Sequence, residues 1–300
     1  MTATAQDPEN GDAVVSLTGV GRVFRRSGGQ SVTALQDITL SIPRGSAFGV
    51  VGESGSGKTT LMRIIAGLER AGSGQVLVNG TDITNLPEKK LGALRKTLQV
   101  VFQDPMGSLD PRMRIGRIVA EPLVAQGLVT QRRAATTDRV AEVLAQVGLE
   151  PDIVERYPHQ FSGGQRQRIS IARAIAPDPA VLIADEAVSA LDVTVRAQIL
   201  DLIADIATRR SLTLIFVSHD LSVIRRVCDR VAVLQNGRLV ETGTAAQIYD
   251  HPQQDYTRRL LAAVPRLASS LQMARARAAA STPAADATVQ PRPDESKDDR

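Results

Sequence analysis

Tryptophan is missing from the 300-residue sequence, and aromatic residues make up only 3% of it. Platforms that stack single-stranded bases need aromatic rings beside basic residues, and the net charge is only +4, so a nucleic-acid partner is not expected. A single cysteine, Cys228, excludes an intrachain disulfide and any metal or iron–sulfur cluster built from several cysteines of this chain. That usage suits a reducing cytosol, and Cys228 is expected to be a buried structural thiol. No stretch approaches the roughly 18 uncharged apolar residues that span a bilayer, so any membrane role has to be borrowed from another subunit. The opening "MTATAQDPENGD" has neither a basic patch nor an apolar core; it is expected to be a disordered leader, residues 1–13, and not a secretory signal.

What is present is enough apolar material, 43% of the chain, for a sizeable core in one large domain or two modest ones. From Val14 to about Val101 short apolar strands dominate: "AVVSLTGV", "ITLSI", "AFGVVG", "GQVLVNG". Among them "KTTLMRIIAGL" has helical spacing at Leu61, Ile64, Ile65 and Leu68. Residues 104–176 turn to amphipathic helix, an inserted lobe, before strands return at "AVLIAD" and "LTLIFVSHD" around the helical "RAQILDLIADIATRR". "RVAVLQNGRLVETG" predicts a hairpin at Asn236-Gly237. Alternating strands and helices imply an α/β fold with a largely parallel, doubly wound sheet. Beyond about Pro265 the chain is rich in Ala, Arg and Pro without apolar periodicity, and residues 269–300 are expected to be a disordered tail.

Two glycine loops carry the chemistry. "GESGSGKTT" (Gly52, Ser54, Gly55, Ser56, Gly57, Lys58, Thr59, Thr60) matches G-x-x-x-x-G-K-[ST] between an expected strand and an expected helix. Its backbone N–H groups can close around phosphates, Lys58 can neutralise β/γ oxygens, and Thr59 can ligate Mg²⁺. Thr60 suits either an α-phosphate contact or helix packing. The second loop, "QFSGGQRQRISIARAIA", opens a helix at Ser162, Gly163, Gly164 and Gln165, pointing unpaired N–H groups and the positive end of the macrodipole outward. "AVLIAD" delivers Asp185 and then Glu186: a carboxylate for Mg²⁺ and one to polarise the water attacking a γ-phosphate. His219 follows an apolar strand, near the sheet edge where ligands of such folds collect, although a structural histidine would fit too. Gln103, at the seam with the helical lobe, suits an Mg²⁺ or water ligand or a plain turn. Phe24 suits adenine stacking or core packing.

With "GESGSGKT", "FQDP", "FSGGQ", "LIADE", "SALD" and "SHD" in this order, residues 14–250 resemble the nucleotide-binding subunits of ATP-binding-cassette (ABC) transporters. The resemblance implies a P-loop NTPase: a RecA-like, mostly parallel sheet core, an N-terminal antiparallel β subdomain and an inserted α-helical signature subdomain. It places Gln103 at the family's Q-loop glutamine, Glu186 at its catalytic glutamate, His219 at its switch histidine and Phe24 at its adenine-stacking aromatic. It also implies why one chain carries two glycine loops. In this family two cassettes face head to tail, so Ser162, Gly163, Gly164 and Gln165 serve ATP held by a partner cassette, and Asp192 of "SALD" lies along that interface. ATP and Mg²⁺ are the implied cofactors. A second ABC ATPase chain and integral-membrane permease subunits are the implied partners, with an extracytoplasmic solute-binding protein indirectly, which places the chain at the cytoplasmic face of the membrane.

"VVFQDPMGSLDPRM", "YPHQFSGGQRQRISIARA" and "HPQQDYTRRLLAAVP" narrow the resemblance to importers of di- and oligopeptides, a group that also handles nickel and glutathione. Residues 251–268 are its C-terminal extension, and the wording is closer to the second of the two ATPases such systems often encode. Departures are Ala187 where the family usually has Pro, Asp110 where it usually has Asn, and no cysteine cluster in the extension, so no iron–sulfur centre is expected. A soluble ABC ATPase is the alternative, but such proteins generally show tandem cassettes or a long coiled-coil insertion. A small-molecule kinase would leave "FSGGQ" without a role.

Overall fold

The computed structural model describes residues 12–25, 31–128 and 133–263. β1 (Ala13–Arg25) and β2 (Ser31–Pro43) are long antiparallel partners that bury one face each, through Val15, Leu17 and Val20 and through Leu35, Ile38 and Ile42. β3 (Ala47–Val51) leaves for a second sheet and is followed by α1 (Lys58–Ile65), whereas β4 (Ser73–Val78) and β5 (Thr81–Asp82) return to complete the order β2-β1-β4-β5. α2 (Gly92–Thr97) and β6 (Leu98–Val101) lead into the inserted lobe, which comprises α3 (Pro105–Ser108), α4 (Ile115–Ala125), α5 (Arg133–Gln146) and α6 (Gly163–Ile175). Both α4 and α5 pack on α6, burying Ile118, Val119, Val143 and Ile169.

The chain then runs β7 (Val181–Asp185), α7 (Val193–Arg209), β8 (Thr213–Ser218), α8 (Leu221–Val227), β9 (Arg230–Gln235), β10 (Arg238–Thr244), α9 (Ala245–Asp250) and α10 (Asp255–Ala262). The second sheet has the order β10-β9-β3-β8-β7-β6. All its neighbours are parallel except β10 on β9. Every residue of β7 and β8 is buried, as a parallel sheet covered on both faces requires, which is why these strands are continuous apolar runs and do not alternate. Register aligns Val51 with Ser218 and Asp185 with Val217, so the segments leaving β3, β7 and β8 emerge at one carboxyl edge. The expected α/β architecture, with its antiparallel subdomain and helical insertion, is the observed one.

The Asn236-Gly237 hairpin is present, with φ of 49° and 75°, the paired positive values of a tight I′-type turn. Its tip reaches across the molecule: Gln36 N–H donates to Gly237 O at 2.7 Å, and Gly237 N–H donates to Ser56 O at 2.9 Å. Leu68 departs from expectation, since α1 stops at Ile65 and Leu68 is 54% exposed. Gly67, at φ 67°, ends the helix; its N–H bonds Ile64 O and the Leu68 N–H bonds Arg63 O, the two closing bonds of a Schellman stop. The strand begins at Ala13, inside the expected leader, and Asp12 pairs with Arg44. The rest of that leader, the end of the 251–268 extension and the expected tail lie outside the described residues. Among the described residues no helix is long and apolar enough to cross a membrane.

Candidate functional site

β3 opens directly into the loop from Gly52 to Thr59. At Gly52 a Cβ would lie 2.2 Å from Leu234 O and 2.6 Å from Ser56 Oγ, so only hydrogen fits. Gly57 sits at φ 105° with Ala34 O 2.6 Å from where a Cβ would be. It precedes α1 without giving it a side-chain cap, which leaves the first-turn N–H groups to a ligand. Lys58 is buried, and its Nζ donates to Gly52 O and Glu53 O at 2.8 Å each. Burial holds its ammonium below the ordinary lysine range, while Glu186 and Asp185 act in the opposite direction. A desolvated cation at the mouth of a loop gains most from a polyanion. Ser56 Oγ is buried without a protein partner, Thr60 is half-buried, and Ser54, Gly55 and Thr59 are exposed.

Asp185 ends β7 with Oδ1 buried and unpaired. Burial first, then the neighbouring Glu186, pushes its carboxyl up, against the pull of Arg63 and Lys58. Thr59, Gln103 and Asp185 line one cleft of about 510 Å³, so the three expected metal ligands are brought together from α1, the loop after β6 and β7. Hydroxyl, amide and carboxylate oxygens are a donor set of the kind a hard divalent cation takes. Arg63 lines the same cleft. Sequence reasoning passed over it, although it lies four residues after Thr59 and so on the same helix face.

Glu186 adopts φ 45°, an uncommon conformation for a non-glycine residue that the surrounding structure must hold in place. Its N–H donates to Val217 O at 2.9 Å, and its Oε1 lies 3.2 Å from Nδ1 of the exposed His219. The histidine therefore belongs with the second carboxylate and not with the core. Ala187 is buried, and Asp110 accepts the Arg112 N–H at 2.9 Å, a turn bond that an Asn oxygen would make equally. Phe24 is half-buried near the end of β1, opposite Val32, with the Arg22 guanidinium 4.7 Å from its ring centroid.

The second glycine loop takes no part in the cleft. Ser162 caps α6: its Oγ accepts Gln165 N–H at 3.3 Å, and Gln165 Oε1 accepts Ser162 N–H at 3.0 Å. Ser162, Gly163 and Gln165 are exposed, whereas a Cβ on Gly164 would lie 2.6 Å from Val195 Cγ1. Asp192 caps α7 by accepting Thr194 N–H and Val195 N–H at 3.1 and 3.0 Å. This second glycine loop opens α6 at an exposed helix start, apart from the cleft of Thr59, Gln103 and Asp185. The profile of the ABC transporter family matches residues 35–189.

The chain belongs to the ABC transporter family. Its ABC cassette is an ATPase domain. The chain is 44% identical to the dipeptide transport ATP-binding protein DppF of Lactococcus lactis, over 84% of its own length and 81% of that protein. Identity to a putative peptide import ATP-binding protein of Brucella ovis is 43%, over 84% of this chain and 78% of the relative. The glutathione import ATP-binding protein GsiA of Shigella flexneri is 48% identical over 79% of this chain, which spans 38% of that longer protein. Among solved structures, the dimeric cassette MJ0796 in a post-hydrolysis state bound to ADP and Pi superposes with a TM-score of 0.71 at 28% identity, covering 77% of this chain and 98% of that one. CbiO1 of Clostridium perfringens, part of the cbiONQ complex, has the same TM-score at 26% identity, over 87% and 99%.

Proposed function

We propose that this ABC cassette is the ATP-hydrolysing subunit of an importer of di- or oligopeptides. In this reading it works as a cassette dimer beneath separate permease subunits at the cytoplasmic face of the membrane. The observation that carries the reading is the convergence at one sheet edge of a buried Lys58, the cleft of Thr59, Gln103 and Asp185, and the Glu186–His219 pair.

In this mechanism the loop N–H groups and Lys58 bind the phosphates, and Phe24 stacks on adenine. Thr59, Gln103 and Asp185 would hold Mg²⁺, which when bound would neutralise charge on the transferred phosphoryl group. Glu186 accepts the proton of the attacking water, and His219, in contact with Oε1, orients that carboxylate. Ser162, Gly163, Gly164 and Gln165 complete a partner's ATP site, and Asp192 fixes the helix beside them. Peptide cargo is supported by the names of the relatives, since a cassette of this kind does not itself contact the solute.

The test reconstitutes the chain with its neighbouring permease and binding protein in vesicles and measures uptake of dipeptides, longer peptides, nickel and glutathione. ATP-dependent peptide uptake that stops in Glu186→Gln is the expected result. Uptake of nickel or glutathione alone would overturn the peptide assignment, and failure to associate with any membrane protein would overturn the transport reading.

A further inference from the structure

α10 is the last helix among the described residues, and in it only Tyr256 and Thr257 are buried. The Glu53 N–H donates to the Tyr256 hydroxyl at 3.2 Å, across 203 residues of sequence. That N–H and the Gly52 carbonyl belong to one peptide unit, which is planar and rigid. Its carbonyl end accepts Lys58 Nζ at 2.8 Å. A single plane is thus held at one end by a tyrosine and presents its other end to the lysine of the phosphate loop. Gly52, with the widest torsional freedom of any residue, does little to hold that plane itself.

The tyrosine is in turn held firmly. Both Glu241 carboxylate oxygens on β10 accept backbone N–H groups at the start of α10, Gln253 at 2.8 Å and Gln254 at 3.1 Å. β10 is the strand whose hairpin tip donates to Ser56 O in the same loop. The loop is therefore fastened twice from the C-terminal end of the cassette. Burying a ring there would need only Phe, and the buried hydroxyl is used on the loop N–H. Burial raises the phenol's pKa, so the oxygen accepts as a neutral hydroxyl.

We propose that Tyr256 is a positioning residue for Lys58: it sets the Gly52–Glu53 peptide so that the Gly52 carbonyl holds the ammonium where nucleotide phosphates arrive, and α10 thereby tunes nucleotide affinity. The inference rests on loop 52–59 being the phosphate site of ATP. The experiment uses the full chain as wild type, Tyr256→Phe and Thr257→Val. It measures Kd for ATP with Mg²⁺ and for ADP, turnover at saturating ATP, nucleotide-free melting, and hydrogen exchange at the Glu53 amide.

Loss of one hydrogen bond should weaken both nucleotides in Tyr256→Phe by about two- to tenfold. Turnover at saturation should stay within about twofold, and Glu53 should exchange faster. Thr257→Val alters the neighbouring buried residue of the same helix, whose Oγ1 has no hydrogen-bond partner, and should bind as wild type does. Unchanged affinity in Tyr256→Phe, whatever its melting point, or an equal loss in Thr257→Val, would overturn the proposal. A wild-type chain that fails to bind ATP would instead overturn the reading of the loop.

Discussion

Lys58 and Asp185 each bear a charge that the fold has taken out of water, and each is therefore a sensitive reporter. Lys58→Ala removes the main side-chain counterion for phosphate, so nucleotide affinity should fall by about 10- to 100-fold, consistent with a charge-assisted contact; near-native Kd by calorimetry would refute the assignment. Asp185→Asn should act in two directions. The folded-state pKa of Asp185 lies above its unfolded value, so ionisation costs stability as pH rises through that interval, and an amide removes the cost at pH 7. A higher nucleotide-free melting midpoint is expected, together with loss of the extra stabilisation that Mg²⁺ adds to ATP. A lower midpoint without nucleotide would contradict it. Glu186→Gln is nearly isosteric and should keep ATP bound while cutting turnover by at least about 100-fold, because an amide cannot serve as a base. Wild-type turnover in that variant would move water activation to another residue, His219 first.

Elements show how legible the site was. The phosphate loop could be identified because strand, loop and helix are contiguous, and Asp185, Glu186 and His219 because apolar runs ending in polar residues mark strand ends. The 3.2 Å contact between Glu186 and His219 was not readable, since it depends on β7 and β8 being neighbours. Leu68 misled because its spacing continues the helix past Gly67, whose positive φ ends it. Tyr256 gave no signal: what one aromatic ring meets 203 residues away is decided by packing. The two glycines of the second loop also differ in a way spacing conceals. Gly164 faces Val195 within its own chain, so any side chain there disturbs α6 against α7, whereas a Cβ on Gly163 would be an ordinary 3.8 Å from Leu191 Cδ2. Gly163→Asp is therefore the cleaner probe, and a carboxylate in a first helical turn is compatible with the helix. It should leave nucleotide affinity of the isolated chain within about twofold of wild type, a range smaller than the loss of one hydrogen bond, while abolishing ATP-driven dimerisation and hydrolysis. Normal hydrolysis would refute the shared-site reading. At the hairpin tip, Gly237→Ala puts a Cβ 2.6 Å from Ala34 O at φ 75°, for an expected loss of about 2 kcal/mol, or about 4–8 °C in melting midpoint.

At the scale of the whole molecule, the proposed sharing of each ATP between two chains would make nucleotide occupancy and assembly a single coupled equilibrium, so ATP that cannot be hydrolysed should drive the chain from monomer to dimer. Sedimentation of Glu186→Gln with and without ATP measures this directly, and a monomer at saturating ATP would argue against it. Following that closure in time calls for a probe at a chosen place, and Cys228 bears on how one is attached. It is the only cysteine of the sequence, it is 6% exposed against the core, and burial pushes its thiol pKa far up, with Asp229 adding to the effect. Reactive thiols are exposed and ionised, and this one is neither. The native protein should accordingly be silent toward maleimides and cross-linking oxidants, which a thiol titration checks. A cysteine placed on the exposed Leu68 or Val124 would be the one addressable sulfur, ready to carry a spin label or a dye pair without first stripping the background.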